Sequence, residues 1–316
     1  MILSHIGCAT DPDIRYKATS GGIGSAILKY LFESKIIQTS ITFDYNNEDL
    51  QYIPRLIYRY EDYNVTGSIY QEIKLIQFIK QHIHEIRGGF ACFVLPCQAR
   101  AIRSILEKAG ITNFIIGLTC SSQQNIEATY YFLKRIHIEK KDVSKIQYRG
   151  NGWPSGIQIQ LTDNSTKYVP NNNSIWSEIF HSRLFIQKKC FYCQNTLNIY
   201  SDITLADPWL KEYFSTEKEG LSIIISNTPK GKKLIEDAQL NKYINIRPID
   251  YNKATSSQIG TIKRKESYNK NKTLTRFMIN IFTSTIYKKA ILNSTILFQI
   301  HNKIKNKIES YISNNK

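Results

Sequence analysis

The 316-residue sequence lacks any run of about 18 uninterrupted apolar residues, the length that a membrane-spanning helix requires. It also lacks the basic start and long apolar stretch that mark a secretory signal peptide. These absences argue against the membrane and secreted classes, and we expect a cytoplasmic protein. With 42% hydrophobic residues, the chain can still bury a sizeable core, in two domains or in one domain with a tail.

Cysteine is also scarce, since the chain has only six, at irregular spacings. A disulfide scaffold is therefore a poor explanation, and in a cytoplasmic protein such cysteines are mostly thiols or metal ligands. Cys190 and Cys193 form one compact pair with the spacing of half a metal site. Cys8 and Cys92 look separate from it.

Acidic residues are outnumbered, because 26 Asp and Glu against 42 Lys and Arg give a net charge of +16. The excess lies at the end of the chain, where residues 251–316 hold 13 basic and 2 acidic residues. The remaining 29 basic and 24 acidic residues give the body only +5. No nucleic-acid-binding module is recognisable either, so we expect no nucleic-acid partner.

The C-terminal tail, from about residue 273, is predicted to be helical with an apolar stripe bordered by lysines. We expect it to dock on the body, to bind a partner, or to lie on the anionic inner face of a membrane. The predicted stripe consists of Phe277, Ile281, Ile291, Leu297 and Ile304, and the lysines are Lys288, Lys289, Lys303, Lys305 and Lys307.

Ser20, Gly21 and Gly22 precede the first clear amphipathic pattern. Apolar residues at helical spacing predict a helix over residues 22–33, with Ser20 as its N-cap. Glycines at a helix start let a ligand approach the free N–H groups, which favour an anion such as phosphate. An ordinary flexible helix start explains the same three residues equally simply.

The region from residue 90 to 118 predicts two buried strands joined by a helix. Residues 90–95 and 114–118 are continuous apolar runs, typical of strands buried on both faces. A helical pattern begins at Ala99, and Gly110 ends it. Such a unit normally forms a right-handed crossover between parallel strands. The sequence therefore predicts an α/β fold: a mixed sheet with a parallel strand–helix–strand core, a smaller α+β part, and a basic helical tail.

Two further cysteines follow these strands, Cys97 after the first and Cys120 after the second. Because parallel strands end at the same edge of a sheet, where open α/β sheets bind ligands, we expect the two residues to lie close together. With Cys190 and Cys193 they form a candidate four-thiol site. The residues alone leave zinc, an iron–sulfur cluster and no metal equally open.

The loop at residues 148–156 has the unusual sequence YRGNGWPSG. We interpret it either as a tight turn before a hairpin or as a cradle for a flat ligand, with Arg149 near an anion and Trp153 packing nearby. Asp207 ends a short apolar strand, where it either caps the turn made by Pro208 or faces the site.

Eight short segments follow one another along residues 3–250: RYKATSGG, TGSIYQE, LPCQARAI, IIGLTC, YRGNGWPSG, CFYC, SDITLADPW and GLSIIISNTPKG. In this order they resemble the beta subunit of coenzyme F420-reducing hydrogenase and its relatives, which are flavin and iron–sulfur oxidoreductases. Any one segment is a weak signal, but eight in the family's order are specific. Similar sequences also occur among chlorophyll-pathway reductases and in bacterial surface-polysaccharide gene clusters.

The resemblance implies roles for these residues. The four cysteines of the candidate site, Cys97, Cys120, Cys190 and Cys193, would ligate a [4Fe–4S] cluster. The FAD site would be lined by Ser20, Gly21, Gly22, Gly67, Ser68 and Tyr70, with Arg149 and Trp153 in the loop beside it and Asp207 in the acidic turn after it.

The chain departs from the family close to two of these cysteines. Val94 and Leu95 stand where relatives have Gly-Thr, and Ser121 stands where a glycine is frequent. The chain also lacks the N-terminal ferredoxin-like segment of many relatives, so a second cluster is expected to come from a partner.

The resemblance thus implies an oxidoreductase that uses FAD and a [4Fe–4S] cluster. It would pass electrons between a donor, reduced coenzyme F420 or a ferredoxin, and a small-molecule substrate, with surface-polysaccharide biosynthesis as one setting. The alternative is a non-catalytic interaction protein stabilised by zinc. We expect a flavin-binding domain at 1–140, a second domain at 141–250 with the CxxC pair and the acidic turn, and the tail at 251–316.

Overall fold

Residues 3–314 are described in a computed structural model of the chain. Their strands are β1 (Leu3–Ala9), β2 (Thr39–Asn46), β3 (Gln51–Ile57), β4 (Phe90–Val94), β5 (Asn113–Leu118), β6 (Val143–Gln147), β7 (Gly156–Leu161), β8 (Thr166–Pro170), β9 (Ile203–Ala206), β10 (Ser222–Ser226) and β11 (Ile244–Pro248). Their helices are α1 (Pro12–Lys17), α2 (Ile23–Glu33), α3 (Leu75–Gln81), α4 (Ala99–Lys108), α5 (Ile126–Arg135), α6 (Ile175–His181), α7 (Lys188–Phe191), α8 (Lys211–Phe214), α9 (Pro229–Leu240), α10 (Tyr251–Ser256), α11 (Ile259–Lys270), α12 (Lys272–Phe282), α13 (Thr285–Leu292) and α14 (Thr295–Asn314). Across this range, none of the helices is both long enough and apolar enough to cross a bilayer.

The larger sheet has eight strands in the order β11-β1-β10-β9-β5-β4-β2-β3. Its centre is parallel, because β2, β4, β5 and β9 run in one direction, and the other strands join antiparallel to their neighbours. Helix α4 connects β4 to β5, and the register pairs Val94 with Gly117. The ends of β4 and β5 therefore lie side by side. The predicted strand–helix–strand unit and the mixed α/β fold class are confirmed.

Helices cover both faces of this sheet. Side chains alternate along each strand, so neighbouring apolar residues point to opposite faces. Ile224 packs in the core formed with α2 and α9, whereas Ile223 and Ile225 pack in the core on the other side, which includes Ala254 of α10. A sheet covered on both faces needs apolar residues at every position, which explains the continuous apolar runs of the central strands.

The smaller sheet, β6-β7-β8, is antiparallel and has a separate core. That core contains Trp176 of α6, which is 1% exposed, and includes side chains of α5 and of the tail helices. The predicted boundary at residue 140 does not separate two sheets, since β9, β10 and β11 belong to the same large sheet as β1 to β5.

The tail is helical, as predicted, and forms α10 to α14. It docks on the body, because apolar side chains of α11 to α14 are buried in the core of the smaller sheet: Tyr268, Met278, Ile279, Phe282, Ile291, Phe298 and Ile312. The predicted stripe was largely wrong, since Phe277, Leu297 and Ile304 are 60%, 41% and 48% exposed. The tail is a series of short helices, and each break between them changes which residues face the core.

Glu309 of α14 anchors the tail by a buried ionic network. Its carboxylate lies 3.0 Å from Nε of Arg183 and 3.5 Å from Nζ of Lys305, and it accepts a hydrogen bond from the Tyr268 hydroxyl. Burial alone would raise the pKa of Glu309, but Arg183 and Lys305 outweigh burial and lower this pKa to about 2. Arg183 belongs to the body, so the network ties α11 and α14 to it.

Two adjacent residues of α14 test this docking. Phe298 is fully buried and Leu297 is 41% exposed. We expect Phe298→Ala to lower the free energy of unfolding by about 3–5 kcal/mol, because it opens a cavity in the core. Leu297→Ala should change it by less than about 1 kcal/mol. Urea unfolding of both variants measures the difference, and equal losses would contradict the docked arrangement.

Candidate functional site

A cavity of about 840 Å³ lies at the carboxyl ends of the parallel strands β4, β5 and β9. The start of α2, the irregular segment before α3, helix α6 and helix α11 form its other walls. Cavities of this size hold cofactors and drug-sized ligands, and the carboxyl edge of a parallel sheet is where α/β folds bind them.

The start of α2 faces this cavity, and its glycines differ in whether they line it. Gly22 is the N-cap, with a φ of 74°, and it lines the cavity together with Ile23 and Gly24. The prediction that Ser20 caps the helix is wrong, because its hydroxyl donates to the carbonyl of Leu221. Ser20 still lines the cavity.

Gly21 packs against the protein's own backbone rather than against the cavity. A Cβ at this position would lie 2.5 Å from the carbonyl oxygen of Gly7 and 2.6 Å from the amide nitrogen of Ser222. Because both atoms belong to the neighbouring strands β1 and β10, glycine is needed here for strand packing. Gly21 does not border the cavity, unlike Ser20 and Gly22.

The segment before α3 supplies three further predicted residues, Gly67, Ser68 and Tyr70, and all of them line the cavity. Gly67 has a φ of 68°, and a Cβ there would lie 1.9 Å from the carbonyl oxygen of Arg149. The Ser68 hydroxyl is 3.1 Å from that of Thr19. Only a glycine allows this segment to approach Arg149 so closely.

Arg149 and Asp207 form a buried ion pair at the cavity. Nη1 and Nη2 of Arg149 lie 2.6 and 3.1 Å from the two carboxylate oxygens of Asp207, and the indole nitrogen of Trp153 donates to the same carboxylate at 3.0 Å. Burial alone would lower the pKa of Arg149, but Asp207 and Tyr70 together outweigh burial and raise it. The anion expected near Arg149 is thus a side chain of the protein.

Trp153 is buried on the far side of this ion pair, outside the lining of the large cavity. Its ring packs 5.1 Å from that of Trp209 and 5.8 Å from that of Phe214. It borders instead a second, smaller cavity of about 330 Å³. The loop at residues 148–156 therefore supports the site through the Arg149–Asp207 ion pair. Trp153 packs behind this ion pair, away from the large cavity.

The four cysteines of the candidate site, Cys97, Cys120, Cys190 and Cys193, all line the large cavity. Cys97 and Cys120 follow β4 and β5, as the parallel topology predicts, and the CxxC pair lies at the end of α7. Besides burial, the neighbouring Cys97, Cys190 and Cys193 raise the pKa of Cys120, so the four cysteines lie near one another. Cys8 lies in β1 and Cys92 is buried in β4, so both are separate from the cavity.

The four thiols do not form a preassembled metal site. Within residues 3–314, no three His, Cys, Asp or Glu side chains form a group that could hold a metal ion. Burial raises the pKa of Cys120 to about 12, although the ammonium group of Lys265 opposes this effect. The unligated Cys120 is therefore a thiol at neutral pH.

The sequence did not predict that the tail forms part of the site. Helix α11 brings Arg264 and Lys265 into the cavity wall. Nζ of Lys265 donates to the carbonyl of Cys120 at 2.7 Å and lies 3.5 Å from the sulfur of Cys193. Before it, Gln258 donates to the carbonyl of Asp207 at 3.0 Å. The basic character of the tail was visible in the sequence, but its direction toward the cavity was not.

Comparison with known proteins gives curated relatives of 23–24% identity. The F420-dependent formate dehydrogenase subunit beta of Methanocaldococcus jannaschii is 23% identical over 251 residues, or 76% of this chain and 60% of the relative. The F420-dependent formate dehydrogenase 1 subunit beta of Methanococcus maripaludis is 24% identical, over 75% of this chain and 59% of the relative. The alignments thus span about three fifths of each relative.

A solved structure shares the fold. A chain of the F420-reducing [NiFe] hydrogenase complex from Methanosarcina barkeri, studied by xenon derivatization, superposes with a TM-score of 0.65 at 17% identity. The superposition covers 87% of this chain and 91% of that chain.

Two family models match most of the body. Residues 5–80 match the N-terminal model of the coenzyme F420 hydrogenase/dehydrogenase beta subunit, and residues 89–252 match its C-terminal model. The C-terminal match alone spans just over half of the chain, and all four candidate cysteines lie within it. The chain therefore belongs to the coenzyme F420 hydrogenase/dehydrogenase beta subunit family.

Proposed function

We propose that this protein is an oxidoreductase that uses FAD and a [4Fe–4S] cluster. It passes electrons between a donor, reduced coenzyme F420 or a ferredoxin, and a small-molecule substrate. The observation that carries the proposal is that four cysteine side chains and the start of α2 border one cavity. The curated relatives are F420-dependent formate dehydrogenase subunits, which supports F420 as a co-substrate.

The chemistry of the donor set fits an iron–sulfur cluster. Such clusters are held by four cysteine thiolates, and Cys97, Cys120, Cys190 and Cys193 supply that number around one cavity. Nζ of Lys265 lies 3.5 Å from the sulfur of Cys193, so a positive charge stands beside the four-thiol site.

The walls of the cavity also fit a flavin dinucleotide. The first-turn N–H groups of α2 have no acceptor within the helix, so they can bind a phosphate group. Gly22 and Gly24, at this end of the helix, line the cavity. Opposite charges cancel in the Arg149–Asp207 pair, so this pair shapes the wall and holds the loop in place. A bound flavin would exchange hydride, and a cluster would transfer single electrons.

The remaining parts of the proposal concern the setting of the protein. We place it in the cytoplasm, with surface-polysaccharide biosynthesis as the pathway of its substrate and with an electron-donor protein such as a ferredoxin as its partner. A contact with an anionic membrane would use the exposed lysines of the tail, Lys289, Lys303 and Lys307, since Lys305 is buried. The body carries little net charge, which supports neither DNA nor RNA as a partner.

Metal content separates this proposal from its alternative. The same four thiols suit zinc, and a colourless zinc protein would be an interaction module without redox activity. Protein purified without oxygen is expected to contain FAD and about four irons per chain, with visible absorbance that bleaches on reduction by dithionite. Zinc in place of iron, together with no flavin, would establish the alternative.

Single cysteine variants locate the metal. We expect Cys120→Ser to lose most of the iron, because a hydroxyl is a poor replacement for a thiolate ligand. The matched control is Cys8→Ser, since Cys8 lies in β1 away from the cavity. Iron analysis and visible spectra of both purified variants give the comparison. Equal iron content in the two variants would contradict the assignment of the site.

The Arg149–Asp207 pair can be tested by a neutral replacement of similar shape. Asp207→Asn leaves the buried guanidinium without a countercharge, so we expect a loss of about 3–5 kcal/mol in the free energy of unfolding. We also expect weaker FAD binding, because the loop and the segment at Gly67 lose their shared support. Denaturant unfolding and fluorescence titration with FAD measure the two effects.

A matched control is available at the surface. Asp44 forms a similar two-point ion pair with Arg55, at 2.6 and 3.3 Å, but both side chains are nearly half exposed. Asp44→Asn should therefore cost less than about 1 kcal/mol. If both variants lose the same stability, the buried pair does not have the supporting role assigned to it.

A further inference from the structure

Helix α11 turns one row of side chains toward the large cavity. This wall includes Ser257, Gln258, Gly260, Thr261, Arg264 and Lys265, all beyond the family match that ends at residue 252. At Gly260, a Cβ would meet no atom within 4 Å, so the helix borders open space there. The tail therefore does more than cover the body, since it contributes two cations to a site formed mainly by the family fold.

One of these cations already has partners. Lys265 is 3% exposed, and its ammonium group reaches the carbonyl of Cys120 and the sulfur of Cys193. Its position is explained by the thiol site.

Arg264 is different, because among residues 3–314 hydrogen bonds are seen for only one of its guanidinium nitrogens. Nη2 donates to the hydroxyl of Ser121 at 3.1 Å and to its carbonyl at 3.4 Å. In the part of the chain that the structure describes, no carboxylate forms an ion pair with this residue, whereas Arg149 is paired with Asp207 and Arg183 with Glu309. A guanidinium in a cavity wall, with donors left over and no countercharge, is suited to bind an anion.

The pKa values of the three arginines reflect whether each one has a carboxylate partner. For Arg149 and Arg183, the carboxylate partner and a neighbouring tyrosine (Tyr70 and Tyr268, respectively) together outweigh burial and raise the pKa of each. Burial, and then repulsion from Arg183, lower the pKa of Arg264 to about 10. Arg264 therefore keeps its charge at neutral pH, and Tyr268 and Glu309 offset the effects of burial and of Arg183 only in part.

The charged side chains along the cavity are positive on balance. The Arg149–Asp207 pair is neutral as a whole, and Glu72 is the remaining acid among the cavity-lining residues that the structure describes. Three cations, Lys189, Arg264 and Lys265, line the same space. A ligand with phosphate or carboxylate groups is attracted into such a cavity, and a cationic ligand is repelled.

We propose that Arg264 is the anchor for a phosphate or carboxylate group of the ligand that fills this cavity. Two sources share this chemistry, the diphosphate of the flavin and an anionic substrate. Binding of the flavin diphosphate rests on the proposed function, whereas binding of an anionic substrate does not depend on it. Either ligand gains a two-point contact with the guanidinium nitrogens that Ser121 leaves free.

Two titrations of the full-length protein distinguish the sources. FAD is titrated into flavin-free protein, and pyrophosphate, as the anion probe, is titrated into protein with and without FAD. Arg264→Gln should weaken at least one of these affinities by about 10-fold or more, because it removes a charge-assisted contact. Arg264→Lys should restore part of the loss. Arg276→Gln, at an exposed position of α12, is the matched control, and thermal unfolding checks that each variant is folded.

Each result has one meaning. Weaker FAD binding, with or without weaker pyrophosphate binding to the flavin-free protein, assigns Arg264 to the flavin phosphates. Weaker pyrophosphate binding to the FAD-loaded protein assigns it to an anionic substrate. If the unmodified protein binds pyrophosphate through Arg264 but never binds FAD, the proposed function fails and the anion site stands. Arg264→Gln behaving like Arg276→Gln, or an unmodified protein that binds neither probe, overturns the inference.

Discussion

The ion pair between Arg149 and Asp207 holds the cavity together, because each partner comes from a different sheet. Arg149 follows β6 of the small sheet, and Asp207 follows β9 of the large one. The same guanidinium donates to the carbonyl of Thr19 at 3.1 Å, and the backbone of Arg149 lies against Gly67. Four segments far apart in sequence are therefore fixed by one buried residue, and removing its countercharge affects all of them.

Glu309 has the corresponding role for the tail. It joins α14 to Arg183 of the body and to Tyr268 of α11, and α11 in turn forms a wall of the cavity. Docking of α14 thereby holds α11 in place and with it the positions of Arg264 and Lys265, although neither residue is near Glu309 in the sequence. A basic tail that could have been a loose extension is instead connected to the site through a buried charge network.

The sequence predicted features that depend on local pattern and on simple topology. Apolar runs revealed β4 and β5, and the parallel crossover then brought Cys97 and Cys120 to one edge. Features that depend on distant partners were missed. The glycine at position 21 is required by the backbones of β1 and β10, and the tail stripe was misplaced because the breaks between short helices change the face that is buried. Nothing in the local sequence indicates such contacts.

Helix α11 links the two halves of the candidate site. Lys265 touches the sulfur of Cys193, and the next residue toward the N-terminus, Arg264, contacts Ser121 beside Cys120. Of these two neighbouring residues, Lys265 contacts the thiol site and Arg264 borders the open part of the cavity. Because the two side chains are adjacent on α11, a movement of this helix would shift both positive charges together, one beside Cys193 and one beside Ser121.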